Sequence, residues 1–113
     1  MQLQALAIQN LKTFFEGKVL ITYITKEQAQ VLNATFEDYK GIINRLATIK
    51  PNIFVCFSYP KDDFYYVSMR AKQNFDVATI AKKYDGGGHA GAYAFLTNKS
   101  LSEIENNLLP DFE

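Results

Sequence analysis

Apolar positions along this 113-residue chain change period several times, and each change marks an element. Leu3, Leu6, Ala7, Leu11, Phe14 and Phe15 recur at helical spacing, with Gln2, Gln4, Gln9 and Lys12 between them. This predicts an amphipathic helix closed by Gly17, since glycine is a common helix stop. From Lys18 to Thr25 the pattern is instead a nearly unbroken run, Val19-Leu20-Ile21-Thr22-Tyr23-Ile24, rich in β-branched side chains. A run of that length and type predicts a central strand buried on both faces. Thr25 and Gln28 stand three apart, the spacing of a capping box, and open a short helix to about Leu32. Thr35 and Asp38 repeat the spacing before a second helix, whose apolar face is Tyr39, Ile42, Ile43, Leu46 and Ile49; Pro51 is expected to end it.

The period then falls to two. Ile53, Val55, Phe57 and Tyr59 alternate with Phe54, Cys56 and Ser58, and after the polar turn Pro60-Lys61-Asp62-Asp63 the alternation resumes. Tyr65, Val67 and Met69 take one face of the returning strand, and Phe64, Tyr66, Ser68 and Arg70 the other, which predicts a hairpin. Asp76 suits the N-cap of a helix carrying Val77, Ile80, Ala81 and Tyr84. A glycine run follows, then a short strand around Tyr93 to Leu96. A last helix is capped by Ser100 and Glu103, packed by Leu101, Ile104 and Leu108, and ended by Pro110. The expected fold is α/β, a single domain with a mixed β-sheet of four to five strands flanked by helices.

Composition narrows the function classes. Twelve basic and twelve acidic residues give zero formal net charge, which argues against a broad polyanion-binding surface but leaves room for a local phosphate pocket. Arg45 and Arg70 are the two arginines. Cys56 is the single cysteine, so neither an intrachain disulfide nor a thiol zinc cluster can form, and a cytoplasmic location is expected. The first 17 residues lack the basic and apolar regions of a signal peptide, and no segment approaches a membrane span.

The adjacent acidic pairs, Glu37-Asp38 and Asp62-Asp63, sit where caps and turns want acids, so a metal-ligand cluster is not expected. No serine has a nucleophile-elbow context, and His89-Ala90-Gly91 does not continue the glycines as a P-loop. The chain looks unequipped as a catalyst by itself. As a binder it has Gly86-Gly87-Gly88-His89, a run of amides without side chains next to the chain's one histidine. It also has Arg70, at the end of a hairpin strand, with the forked guanidinium that suits phosphate or carboxylate. Taken singly, each has a plain structural reading: a glycine turn, a satisfied histidine, a solvated edge arginine.

In combination these motifs resemble the DHH-associated C-terminal domain of DHH-family phosphoesterases. The stretch Tyr65-Tyr66-Val67-Ser68-Met69-Arg70 ends a strand in Ser-x-Arg. Phe75-Asp76-Val77-Ala78-Thr79-Ile80-Ala81-Lys82-Lys83-Tyr84 forms the following helix, and Asp85-Gly86-Gly87-Gly88-His89 the loop before a small-residue strand. The nearest subgroup is that of oligoribonuclease/pAp phosphatases and cyclic-dinucleotide phosphodiesterases. The resemblance implies a substrate-binding domain over residues 18–113, preceded by a linker-like helix over residues 1–17. It implies that Arg70, Gly86, Gly87, Gly88 and His89 hold the phosphate of short oligonucleotides, pAp or dinucleotides, with His89 able to assist at the scissile phosphate. It also implies a partner domain, absent from these residues, that holds two divalent metals, usually manganese, on Asp and His ligands. No cofactor is expected on this chain, which alone should be inactive.

Three positions depart from the family pattern. Tyr93 and Ala94 stand where smaller residues are usual, and Asp85 places an acid beside the proposed anion site. The rival readings are a stand-alone nucleotide or single-strand binding module, and a structural domain whose seven tyrosines and nine phenylalanines serve a homodimer interface.

Overall fold

A computed structural model of the chain describes residues 2–49, 52–72, 77–89 and 91–112, with His89 described by its backbone. Its elements in order are α1 (Gln2–Gln9), β1 (Lys12–Phe14), β2 (Val19–Tyr23), α2 (Lys26–Leu32), α3 (Phe36–Leu46) and β3 (Phe54–Lys61). Then come β4 (Phe64–Ala71), α4 (Ala78–Lys82), β5 (Gly87–His89), β6 (Ala92–Thr97), α5 (Leu101–Leu108) and a closing 3-10 turn, Leu109–Phe112. Among the described residues six strands form one mixed sheet in the order β1-β2-β3-β4-β6-β5. The β2–β3 pair is parallel, as the intervening helices α2 and α3 require, and the other pairs are antiparallel.

The capping boxes form as the spacing predicts. The Thr25, Thr35 and Ser100 hydroxyls accept from the amides of Gln28, Asp38 and Glu103, whose side chains accept in return from the cap amides. The hairpin also forms, but its turn is shorter than expected. Pro60 and Lys61 belong to β3, opposite Tyr65 and Phe64, and the two-residue turn Asp62-Asp63 has Asp62 at positive φ. Asp76 and Pro51, expected to cap one helix and end another, lie outside the described residues.

Two expectations need correction, and together they raise the strand count to six. The first helix stops at Gln9 rather than near Gly17. Its end is held by Asn10, whose Nδ2 donates to the Tyr23 carbonyl at 2.8 Å and to Gln28 Oε1 at 3.0 Å. Lys12–Phe14 then pairs with the otherwise bare edge of β2, and Phe15, Glu16 and Gly17 turn the chain at positive φ. The backbone hydrogen bonds offered by that edge outweigh the helical spacing of Leu11, Phe14 and Phe15. The second correction is Gly87–His89, expected as a loop and found as an edge strand beside β6.

Alternation along the strands divides the core between two faces. On one, Val19, Ile21, Phe54, Cys56, Val67, Met69 and Phe95 meet α4, α5 and the 3-10 turn through Val77, Ile80, Ala81, Ile104 and Leu108. On the other, Leu20, Val55, Phe57 and Tyr59 meet α1 and α3 through Leu3, Ala7, Tyr39, Ile42, Ile43 and Leu46. The buried Thr22 hydroxyl donates to the Ala7 carbonyl at 2.5 Å, fixing α1 against β2. Helices on this second face cover β2 and β3. On β4 they reach only the part where Phe36 of α3 packs on Tyr66, leaving the rest of β4, with β6 and β5, uncovered, and that gap is where the candidate site lies. No described helix is long and apolar enough to cross a membrane.

Candidate functional site

The floor of the gap follows from strand register. Ser68 stands opposite Ala94, and Ala94 opposite Gly87, so three small residues form a row across β4, β6 and β5. The next row is Arg70, Ala92 and His89. Residues directly opposite in a sheet share a face, so Ser68, Ala94, Gly87, Arg70 and Ala92 belong to the face on which β6 and β5 are left uncovered. With side chains this small, the sheet does not fill the space above it. A cleft of about 240 Å³ remains, lined by Phe36, Lys40, Tyr59, Tyr66, Ser68, Arg70, Gly87, Gly88, Ala92, Tyr93 and Ala94.

Two cations reach this cleft and no described carboxylate lines it. Arg70 is half-buried; its Nη1 donates to the Met69 carbonyl at 3.1 Å and to Ser68 Oγ at 3.4 Å. A guanidinium carries five N–H donors, so these two bonds orient the fork without exhausting it. Lys40 comes from α3, one turn after Phe36 on the same side of the helix. The ion pairs among the described residues, Lys12–Glu105 and Lys83–Asp111, involve neither cation. Tyr59 forms part of the wall. Burial, then the neighbouring Tyr66 and Tyr39 phenols, raise its pKa well above the usual range, while Arg70 pulls it back. Its phenol therefore stays protonated at neutral pH and remains a hydrogen-bond donor.

The three glycines have different tasks. A Cβ on Gly86 would press against the Ala94 carbonyl oxygen and stand 2.7 Å from the Phe95 Cβ. Gly88 has φ +147°, and a Cβ there would fall on the Ala92 carbonyl oxygen and 2.8 Å from the Tyr93 Cα. Both are glycine because the chain entering and forming β5 lies too close to β6 for anything larger. A Cβ on Gly87 would meet nothing within 4 Å. The fold does not demand glycine at that position, which faces the cleft.

Of the residues singled out from sequence, the cleft brings together Arg70, Gly87 and Gly88. Gly86 lies beneath β6 and does not line it, and His89 shares a cross-strand row with Arg70. The departures also find places. Tyr93 stands opposite Met69 and packs against the core of the other face while touching the cleft, so its ring does not fill it. Asp85 takes positive φ where the chain leaves α4, its amide donating to the Lys82 carbonyl, and it does not line the cleft. Sequence reasoning missed Phe36 and Lys40. Their signal was an i, i+4 pair lying off the apolar face of α3. It also left Ser68, Tyr59 and Tyr66 without a role in the site. Among the described residues no three His, Cys, Asp or Glu side chains gather, so no metal-dependent step is assigned to them.

Residues 16–108 match the profile of the DHHA1 domain. Among solved structures, an exopolyphosphatase-related protein from Bacteroides fragilis superposes with a TM-score of 0.87 at 22% identity. The match covers 97% of this chain and 33% of that one. A pGpG-specific phosphodiesterase from Vibrio cholerae superposes with a TM-score of 0.63 at 14% identity, covering 92% of this chain and 34% of that one. At these identities the likeness is one of fold. The chain spans about a third of the length of either relative. A search of curated proteins returned no match.

Proposed function

The chain belongs to the DHHA1 domain family of DHH-type phosphoesterases, and on that footing we propose that it is a substrate-holding domain whose cleft binds the phosphate of short oligonucleotides, pAp or dinucleotides. The observation that carries this reading is a cleft lined by Lys40 and Arg70, with no described carboxylate, over a floor of Gly87, Ala92, Ala94 and Ser68. A cation with no charged partner among the described residues, set in a concave site, favours an anion, and the guanidinium adds a two-point match to phosphate oxygens. As an edge strand, β5 also has backbone groups not used by β6, and its small residues let an anion approach them. Tyr59 and Ser68 add neutral donors. His89, in the same row as Arg70, contacts the same phosphate in this reading.

Hydrolysis is assigned to a metal-bearing domain outside residues 1–113, manganese being the ion the family implies; this chain's part is to bind and orient. One structural relative is a pGpG-specific phosphodiesterase and the other is named as exopolyphosphatase-related, and both names fit a phosphate-holding role. We place the domain in the cytoplasm, consistent with its single buried thiol. The test is titration of pAp into the isotopically labelled chain, followed by amide NMR. Shifts should cluster on β4, β5 and β6. Arg70→Ala should weaken binding roughly tenfold or more, the scale of one charge-assisted hydrogen bond, and Lys40→Ala by less. Unchanged titrations would overturn the proposal and leave a structural or dimerising role as the better reading.

A further inference from the structure

Resting on that phosphate-binding reading, we infer that the cleft carries a nucleobase platform, Phe36, and therefore selects a base-bearing phosphate over inorganic phosphate or polyphosphate. Phe36 is the first residue of α3, and 47% of its surface is exposed although it is large and apolar. It is not a loose side chain. Its ring stands nearly perpendicular to Tyr66, at 83° and 5.6 Å between centroids, and at 61° and 6.5 Å to Tyr59. Tyr59 is fixed in turn by stacking on Tyr39 at 4.1 Å and 3°. The ladder Tyr39–Tyr59–Tyr66–Phe36 thus runs from the buried core to the cleft rim and ends on a ring held in place but half in solvent.

Core packing explains the first three rings and leaves the exposed area of the fourth unused. Phe36 and Lys40 line the same cleft as Arg70, so a phosphate at the cations has an aromatic surface beside it. Lys61 Nζ lies 5.9 Å from the Phe36 ring centroid and 5.6 Å from that of Tyr66, adding positive charge at the rim. Rigid aromatic surface next to cations is the arrangement by which proteins hold single nucleotides, because every base has a π-face. Linear polyphosphate would use the cations and leave the ring in water. The volume of about 240 Å³ falls below the roughly 300–1,000 Å³ of a complete small-molecule site, which suits the terminal phosphate and base of a ligand whose remainder lies outside the cleft.

The experiment uses the full 113-residue chain and three probes: pAp, ribose 5-phosphate and inorganic triphosphate. The chain has no tryptophan, so Phe36→Trp installs a single indole at the platform that can be excited apart from the seven tyrosines. Its emission should be quenched by pAp and unaffected by ribose 5-phosphate or triphosphate. In calorimetry, pAp should bind the wild type more tightly than ribose 5-phosphate. Because pAp carries a second phosphate as well as a base, Phe36→Ala and the milder Phe36→Leu should narrow that margin by the roughly 5- to 100-fold of one base stack, while leaving triphosphate binding as it was. Arg70→Ala should weaken all three probes. If Phe36→Leu binds pAp like the wild type, or pAp binds no better than ribose 5-phosphate, the platform is refuted while phosphate binding stands. If no probe binds the wild type, the phosphate reading fails and the platform falls with it.

Discussion

Two hollows of similar size, each about 240 Å³, lie on opposite faces of the sheet, and they hold their cations differently. The first is the cleft above β4, β6 and β5, with Lys40 and Arg70 facing no described carboxylate. The second lies between the ends of β2 and β3 and helix α5, lined by Thr22, Tyr23, Thr25, Ser58 and Ser102 among others. Its cation, Lys12, is paired with Glu105 at 3.2 Å. The influence of Glu105 reaches the core beneath, where burial first and then this carboxylate, against a lowering hydrogen bond from Ser58, push the Cys56 thiol up to about 12. Volume therefore does not separate the two hollows. Charge compensation does, and so does the composition of the floor. The first hollow exists because small residues stop the sheet from filling its own face.

The largest effect should come from the β5 wall. Gly88→Ala places a methyl on the Ala92 carbonyl at a backbone angle side chains rarely adopt. The expected cost is about 2–3 kcal/mol, a fall in Tm of roughly 10 °C or more for a domain this size. Gly87→Ala should separate binding from folding. Its methyl meets no neighbour within 4 Å, so Tm should hold or rise slightly, while pAp binding weakens about tenfold as the methyl enters the floor. Thermal melts and titrations of the two variants check both. If Gly87→Ala binds normally, the row Ser68–Ala94–Gly87 is not where the phosphate rests.

Those glycines show how much of the site was legible in advance. The run itself was visible, and so was Arg70, because glycine triplets and a strand-end arginine are local signals. The division of labour was not, because it depends on β5 lying against β6, a pairing that no spacing announces. Phe36 and Lys40 were hidden for a related reason. On α3 they look like ordinary solvent-facing residues, and they become cleft residues because β4 and β6 lie beneath them. Local chemistry explains the successes elsewhere. The three capping boxes and the hairpin alternation are written into residues three and two apart. The helix expected through Gly17 failed because the edge of β2 needed a partner, and that need arises from the assembled sheet.

Alkaline pH offers a smaller effect, which on the first hollow's side of the sheet falls on two phenols. Burial raises the pKa of both Tyr39 and Tyr59, with Asp38 adding to the first and the neighbouring phenols to the second. A raised phenol pKa favours the protonated folded state, so its contribution is complete below the unfolded value of about 10 and is lost as pH rises through the folded values. Denaturant midpoints should be flat from neutral pH to about 10 and fall above it. Arg70 opposes the shift at Tyr59. Arg70→Ala should therefore make that phenol harder to ionise, moving the tyrosinate absorbance change to higher pH. A midpoint that starts to fall well below pH 10 would show that other groups govern the alkaline limb.

The smallest effect bears directly on charge compensation. Glu105→Gln removes the partner of Lys12, whose side chain is about half exposed, so the stability change should stay within about 1 kcal/mol. The variant leaves the second hollow with the property assigned to the first, an uncompensated cation beside hydroxyl donors. If pairing is what keeps anions out, inorganic phosphate should produce new amide shifts around Thr22 to Thr25 and at Leu101 and Ser102 that the wild type lacks. They should saturate only in the millimolar range, because Lys12 brings one flexible ammonium where the first cleft brings a guanidinium fork and a second cation. Titration of pAp at β4, β5 and β6 should be unaffected. Silence at the second hollow would locate the difference elsewhere, in the row of small residues that floors the first hollow and has no counterpart among those lining the second.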